Sequence, residues 1–183
     1  LKNGEATIEE LMEIIPAPDF PTAGIIYGLE GVREGYRTGR GRVVMRARTH
    51  VEEMKNDREA IIIDELPYQV NKAMLIERIA ELVKDDVITD IADIRDESSR
   101  EGMRAVIILK RDADVRVVEN QLFKHTQMQV TFGIIMLALV NNRPEVLALR
   151  DMIQHWLNHR EVVVVRRTKF DLRKAEERAH ILE

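Results

Sequence analysis

Several features are missing from this sequence of 183 residues, and each absence excludes a class of protein. Cysteine is absent, which excludes disulfide bonds and thiolate metal sites and fits a reducing compartment. No apolar run approaches the 18 or more residues of a membrane span, since the longest extends only from Ile134 to Val140. No basic segment followed by an apolar one opens the chain, so we expect no secretory signal.

The residue patterns of familiar catalytic centres are missing as well. His155 and His159 have helical spacing, but no glutamate stands between them in the zinc-protease arrangement. There is no Gly-x-Ser-x-Gly nucleophile elbow. Tyr27, Tyr36 and Tyr68 stand in no context that singles out a nucleophile. From these patterns we predict neither a catalytic residue nor a metal site.

The charge is distributed unevenly. The net charge of −4 does not by itself indicate a nucleic-acid-binding protein. Between Arg33 and Arg48, however, six arginines face one acid, which gives +5 and leaves −9 for the rest of the chain. The chain has 20 arginines against 8 lysines, and a guanidinium group can bind two phosphate oxygens at once.

Residues 42–51 are predicted to form a strand with two different faces. Side chains alternate along a strand, so residues 42, 46, 48 and 50 share one face, opposite Val43, Met45, Ala47 and Val51. The first face is a candidate phosphate-binding surface, and the glycines of 35–42 would let the backbone approach a ligand. The alternative is a solvated edge strand with protective charges.

Lys72 provides a second indication of anion binding. It stands in the first turn of a predicted helix at 72–84, behind Asn71 as the N-cap. A cation there opposes the helix dipole, which is reasonable if a bound anion shares the helix N-terminus. The alternative is a lone solvated lysine.

The remaining pattern predicts an α+β domain, with helices packed on a mostly antiparallel sheet. A capping box of Thr7 and Glu10 begins a first helix, which Pro16 ends. Beyond 42–51, strands are expected at 59–66, near 88–95, at 103–110 and, buried, at 128–140, with a helix at 114–124.

The C-terminal part is predicted to be one long helix. Neither proline nor glycine occurs after Pro144, which suits a first helical turn. About 40 residues would form a rod of roughly 60 Å, typical of a coiled-coil arm. The β-branched run Val162–Val165 has low helix propensity, so the alternative is a helix with a break near 159–162.

Five motifs, in this order, carry a resemblance to a known family. They are PDFPT (18–22), YRTGRG (36–41), LPYQVNKA (66–73), RDES (95–98) and RAHILE (178–183). Together the motifs resemble the A subunits of bacterial type IIA DNA topoisomerases, over essentially the whole chain. YRTGRG, LPYQVNK and the pair Phe132–Gly133 resemble DNA gyrase more than topoisomerase IV.

The resemblance implies a tower-domain fragment with the start of the coiled coil. Residues 1–23 would be a helix and connection from a winged-helix domain, 24–143 the α+β tower, and 144–183 the beginning of the coiled-coil arm. The nucleophilic tyrosine of the family would lie upstream of Leu1, so the fragment alone is expected to be inactive.

The resemblance also implies partners, cofactors and a compartment. The implied enzyme negatively supercoils DNA with ATP in the bacterial cytoplasm, in association with the nucleoid. Its subunits form an A2B2 heterotetramer on double-stranded DNA, in which ATP and Mg2+ are held by the B subunit. No cofactor is expected in this segment.

Motif and charge pattern together give the candidate DNA-binding residues. We expect these to contact the DNA backbone: Arg37, Thr38, Arg40, Arg42, Arg46 and Lys72. Two other hypotheses stay open at this point, namely a free-standing nucleic-acid-binding module and a purely structural dimerisation arm.

Overall fold

The computed structural model of the protein describes residues 4–182 and divides into two structural units. The first unit comprises the chain up to Pro16, Val32–Gly41 and everything from Ile134 onward. The second comprises Ala17–Gly31 and Arg42–Gly133.

Along the described chain, helices are separated by single strands or by runs of two or three strands. The helices are α1 (Ile8–Ile14), α2 (Glu30–Thr38), α3 (Lys72–Lys84), α4 (Val115–His125) and α5 (Leu149–Leu182). The strands are β1 (Ile25–Tyr27), β2 (Arg40–Arg46), β3 (Arg48–Met54), β4 (Arg58–Glu65), β5 (Ile91–Asp96), β6 (Ala105–Leu109), β7 (Gln129–Ile135), β8 (Leu137–Val140) and β9 (Arg143–Val146).

The largest sheet has four antiparallel strands in the order β3-β4-β6-β5. Helices α3 and α4 cover one of its faces, where Ile61, Ile63 and Ile107 from the sheet pack with Leu75 and Leu122 from the helices. Burial of apolar side chains such as these is the dominant favourable contribution to folding. The predicted α+β class, with helices on an antiparallel sheet, is confirmed.

Two smaller sheets complete the strand pairing. One has the order β1-β2-β7, in which β1 runs antiparallel to β2. The other is the antiparallel ribbon β8–β9. Its connection, Asn141–Asn142, has positive φ at both residues (49° and 64°), which is the conformation of a tight two-residue hairpin turn.

The helix starts follow from local sequence, as predicted. Glu10 N–H donates to the Thr7 hydroxyl while the Glu10 carboxylate accepts from Thr7 N–H, which is the capping box. Asn71 accepts from Met74 N–H at 3.1 Å, and Asp114 caps α4 in the same way. Each cap satisfies a backbone donor that has no partner inside the helix.

The single strand predicted at 42–51 is wrong. It is interrupted at Ala47, so Arg46 ends β2 in one sheet while Arg48 begins β3 in another. Ala47 is buried and its N–H donates to the Met128 carbonyl oxygen at 2.7 Å. This long-range hydrogen bond lies at the transfer of the chain from one sheet to the other.

The predicted buried strand at 128–140 is also wrong. The chain breaks at Met136 into β7 and β8, and only Ile134 among the residues of these two strands is buried. Pro144 lies in β9, where an edge position tolerates its missing N–H. The long helix therefore begins at Leu149 instead of Pro144.

The predicted helix continues through 159–162, and the alternative of a break there is not observed. Helix α5 runs uninterrupted through Val162–Val165 for 34 residues, a length of about 51 Å. No helix among residues 4–182 is long and apolar enough to cross a membrane.

Candidate nucleic-acid interface

Strand β2 has one buried face and one charged face. Val43 and Met45 are 1% and 0% exposed, while Arg42 lies on the opposite, solvent-facing side of the strand. Arg40, at the start of the strand, is also exposed. Within residues 4–182 neither guanidinium group has an ion pair or a side-chain hydrogen bond. Arg40 and Arg42, below called the β2 arginines, therefore keep all their donors for a ligand.

A glycine supports the backbone of β2 at Arg42. A Cβ atom on Gly31, in the first turn of α2, would overlap the Arg42 carbonyl oxygen. Helix and strand backbones are thus in direct contact at this point. Any side chain at Gly31 would force α2 away from the strand.

The turn after α2 is held by its own side chains and glycines. The Thr38 hydroxyl lies 2.8 Å from the carbonyl oxygens of both Glu34 and Arg40 and accepts from Arg40 N–H. Gly39 has φ of +79°, and a Cβ there would lie 2.6 Å from the Leu147 carbonyl oxygen. Thr38 and Gly39 therefore shape the turn from which Arg40 projects.

The interpretation of the glycines in 35–42 as space for a ligand is wrong for two of them. A Cβ on Gly35 would meet the Ile134 side chain at 3.2 Å. The space beside Gly39 is occupied by the backbone carbonyl group of Leu147. At both positions the absence of a side chain leaves room for another part of the same unit. They serve packing in this unit.

Arg37 lies in the last turn of α2 and is largely exposed. Its guanidinium group is 3.4 Å from the Glu9 carboxylate, with both side chains about two-thirds exposed. An ion pair of this length and exposure contributes little to stability. Arg37 is consequently available to exchange Glu9 for another anion.

Arg46 is held differently from the β2 arginines. Its guanidinium carbon lies 3.7 Å from the ring centroid of Tyr27 and 4.7 Å from that of Phe123. Its Nε donates to Gln129 Oε1 at 2.7 Å. The flat cation is thus stacked between two aromatic rings, which are attractive neighbours for it.

Lys72 stands at the N-terminus of α3, where it pairs with an acidic side chain of the protein. Lys72 Nζ lies 2.7 Å from the Asp96 carboxylate. Hydrogen bonds from Lys72 and then from Ser98 lower the pKa of Asp96 to about 2. The Asp96 carboxylate of the RDES motif thus supplies a negative charge at this helix start, and the binding of an external anion beside Lys72 stays a prediction.

Two residues predicted to share the arginine face lie elsewhere. Arg48 pairs with Glu65 at 3.0 Å. His50 belongs to a charged network on the face of the four-stranded sheet away from α3 and α4. We call this the outer-face network; its members are His50, Glu52, Asp64, Glu97 and Arg104.

The outer-face network is fully paired. Arg104 donates to both oxygens of Glu52 at 2.8 and 2.7 Å, and His50 bridges Glu52 and Asp64. Hydrogen bonds from Arg104 and then His50 lower the pKa of Glu52 to about 2. Hydrogen bonds to Glu52 and Asp64 raise the pKa of His50. Sequence reasoning missed this network, because its members lie far apart in the chain and share no motif.

An aromatic cluster joins three of the sequence motifs. The rings of Phe20, Tyr68 and Phe132 lie within 5.1 to 5.9 Å of one another, two of the pairs nearly edge to face. They come from PDFPT, LPYQVNKA and the pair Phe132–Gly133. This geometry is favourable for aromatic rings, and it gives the three motifs a shared structural role.

No group of three or more residues suited to hold a metal ion occurs in the described part of the chain.

Comparison with known proteins gives a consistent result over the full length. The family model described as DNA gyrase/topoisomerase IV, A subunit, matches residues 1–183. The DNA gyrase A subunit of Clostridium acetobutylicum is 58% identical over 183 residues, which are 100% of this chain and 22% of that relative. The DNA gyrase A subunit of Escherichia coli is 57% identical over 180 residues, which are 98% of this chain and 21% of that relative. The chain thus spans about a fifth of the length of these curated relatives.

Proposed function

The chain belongs to the A-subunit family of DNA gyrase and topoisomerase IV, and we propose that it forms part of the DNA breakage-reunion subunit of a bacterial gyrase. In this role it binds and positions a double-stranded DNA segment while the enzyme cuts and rejoins it. The high identity to several curated gyrase A subunits supports gyrase over topoisomerase IV.

The exposed, unpaired β2 arginines are the observation that carries the proposal. A charge without an internal partner loses nothing within the protein when it binds a phosphate. Bidentate guanidinium groups on a rigid strand suit the phosphate oxygens of a duplex. Such contacts position DNA without reading its sequence, as an enzyme that acts at many sites requires.

The other predicted residues contribute to DNA binding to different degrees. Arg37 adds a further phosphate contact by releasing Glu9, and Thr38 orients the turn that presents Arg40. Arg46 and Lys72 have partners within the protein, so they contribute to the surface potential more than to direct contacts. These assignments follow from the number of free donors on each side chain.

The salt dependence of DNA binding tests the proposal. We expect the double substitution Arg40→Ala and Arg42→Ala in the full-length subunit to weaken binding and to reduce the slope of log K against log salt by about 1.8, since each lost phosphate contact removes about 0.9. Titration of a fluorescent duplex at several salt concentrations measures this slope.

Arg78→Ala is the matched control for charge. Arg78 is half-exposed on α3 and pairs with Glu81 at 3.0 Å, so its removal should leave the slope unchanged. A slope that is the same in the double variant and the native protein would contradict the proposed DNA contact.

The whole enzyme requires partners that carry the remaining chemistry. We propose an A2B2 heterotetramer acting on DNA beside the nucleoid in the bacterial cytoplasm. The B subunit would hold ATP and Mg2+, and its addition with ATP should give the full-length protein negative-supercoiling activity. Failure of supercoiling with a complete partner set would count against gyrase.

Helix α5 supports an additional role as a coiled-coil arm. A groove of about 740 Å³ between α5 and the α1 region is lined by apolar side chains including Leu11, Ile153 and Leu157. Trp156 and Phe170 are 60% and 49% exposed on α5. A second helix packed along α5 would bury this apolar surface.

A further inference from the structure

Helix α5 contains a second concentration of positive charge. Between Val162 and Lys174 five basic residues stand against one acid, Asp171, which gives +4 in a chain whose net charge is −4. The five are Arg166, Arg167, Lys169, Arg173 and Lys174. All five side chains are exposed. An exposed excess of one charge on a single helix indicates a partner of the opposite charge.

Helical geometry places three of these cations on the side of α5 that faces away from its apolar groove. Leu157 and Val164, seven residues apart, line that groove. Each residue of an α-helix rotates the chain by about 100°. Arg166 and Arg173 therefore lie about 200° and 180° around the axis from Val164. Lys169 lies about 140° from it. We call Arg166, Lys169 and Arg173 the arm cation line.

The arm cation line is weakly paired within the protein. Arg166 and Lys169 have no ion pair and no side-chain hydrogen bond among residues 4–182. Arg173 Nε lies 3.9 Å from Glu177 Oε1, and both side chains are more than half exposed. An ion pair of this length and exposure contributes little to stability. The three cations are therefore available to a ligand.

Double-stranded DNA suits the arm cation line better than an acidic protein surface does. Protein interfaces gather apolar and aromatic side chains at their centre and are depleted in lysine. The aromatic ring beside the line, Phe170, has Arg173 at 5.4 Å and Lys174 at 6.0 Å from its centroid, so charge adjoins it. A row of cations instead gains affinity for DNA by releasing the counterions of the phosphates that it contacts.

The spacing of the line matches the dimensions of a duplex. Arg166 and Arg173 are seven residues apart, which is about 10.5 Å along the axis. The major groove of DNA is about 12 Å wide, so a helix lying across it can bring one arginine to the phosphates of each strand. Because α5 is uninterrupted through this segment, the spacing exists before binding and does not have to be ordered by the ligand.

The arm cation line is distant from Arg40 within the same unit. Gly39, beside Arg40, packs against the Leu147 carbonyl group just before α5 begins. Arg166 lies 17 residues beyond the first residue of α5, Leu149, which is about 25 Å along the helix. Contacts separated by such a distance contribute to binding additively.

We propose that the arm cation line binds the phosphate backbone of double-stranded DNA, as a site additional to the β2 arginines. Helix α5 then has two working sides, one that packs in the apolar groove and one that contacts DNA. Such contacts hold a duplex without reading its sequence. This inference rests on the proposed DNA-binding function and extends it to a helix in which no DNA contact was predicted.

The experiment measures binding of a fluorescent duplex to the full-length subunit at several salt concentrations. The triple variant Arg166→Ala, Lys169→Ala and Arg173→Ala should bind more weakly and reduce the slope of log K against log salt by about 2.7, since each lost phosphate contact removes about 0.9. Combined with Arg40→Ala and Arg42→Ala, it should reduce the slope of that double variant by the same amount. Alanine favours the helix, so α5 should stay intact, which circular dichroism checks.

The matched control is the triple variant Arg78→Ala, Lys84→Ala and Arg116→Ala. It removes the same number of exposed cations from α3 and α4. Its salt slope should stay native, which separates a contact made by α5 from a general effect of net charge.

A native salt slope in the arm variant would overturn the inference. A native slope together with weaker binding of the B subunit would overturn it as well and would indicate an acidic protein partner. A slope that does not fall further when the arm and β2 substitutions are combined would contradict a separate site. If the β2 double variant kept a native slope while the arm variant lost slope, the role proposed for the β2 arginines would fail and the arm site would stand.

Discussion

The β2 arginines and the outer-face network use the same kind of charge in opposite ways. Arg104 is held by both oxygens of Glu52 and by Glu97, whereas Arg40 and Arg42 have no internal partner in the described chain. A paired guanidinium group must lose its carboxylate before it can bind a phosphate, and that loss offsets the gain. The number of arginines in a segment therefore says less about binding than the number left unpaired.

The largest expected effect concerns the support of the β2 arginines. Gly31→Ala would place a Cβ on top of the Arg42 carbonyl oxygen, so α2 must move and we expect a loss of about 3 kcal/mol in the free energy of unfolding. Chemical denaturation measures it. Gly133→Ala is the control, because no atom lies within 4 Å of its added Cβ. Equal stability of both variants would show that the contact does not support β2.

The next effect is a difference in stability between variants of Arg46, which lies against two aromatic rings, and of Arg42, which does not. Arg46→Lys removes the flat cation between Tyr27 and Phe123 and the hydrogen bond to Gln129, which should cost about 1–2 kcal/mol. Arg42→Lys, on the same strand and without a partner among residues 4–182, should change the stability by less than about 0.5 kcal/mol. Thermal denaturation of the two variants compares them directly. Similar values for both would contradict the stacking role of Arg46.

The smallest expected effect is the pH dependence that the outer-face network contributes to stability. The pKa of Glu52 is lowered to about 2 from its ordinary 4.5, so its contribution to stability is complete above pH 4.5 and is lost as the pH falls toward 2. Glu52→Gln should flatten the acid limb of melting temperature against pH. Glu53→Gln, its neighbour on β3, should leave that limb native.

The contribution of His50, in the same network, to stability has the opposite dependence on pH. Its pKa is raised above the ordinary 6.5, so the protonated ring stabilises the folded state below pH 6.5, and this contribution is lost as the pH rises through the raised value. His50→Asn should therefore remove the fall in melting temperature that accompanies this deprotonation. An alkaline limb that persists in the variant would place the titration elsewhere.

Sequence analysis was most successful where structure depends on neighbouring residues. The caps at Thr7 and Asn71 act within one helical turn, and the boundaries of α3 follow directly from its pattern of apolar residues. The division of 42–51 at Ala47 depends on a hydrogen bond to Met128, about 80 residues away. The apolar alternation continues through the break, so the sequence gives no sign of it.

The same limit applies to the candidate interface. Arg42 and Arg46 look equivalent in the sequence, and only the positions of Tyr27, Phe123 and Gln129 distinguish the free side chain from the stacked one. The packing role of the glycines at 35 and 39 could not be predicted for a similar reason, since a distant part of the chain fills the space beside them. Residue type predicted the charge of the surface, and packing decided which charges remain available.

The uninterrupted course of α5 has a mechanical consequence. A helix of about 51 Å without proline or glycine resists bending, because sharp kinks arise almost only at such residues or at inserted side chains and water. A rotation of about 10° at its base would displace the far end by about 9 Å, given that length. Helix α5 can therefore act as a lever that converts a small rearrangement near its base into a large movement at its tip.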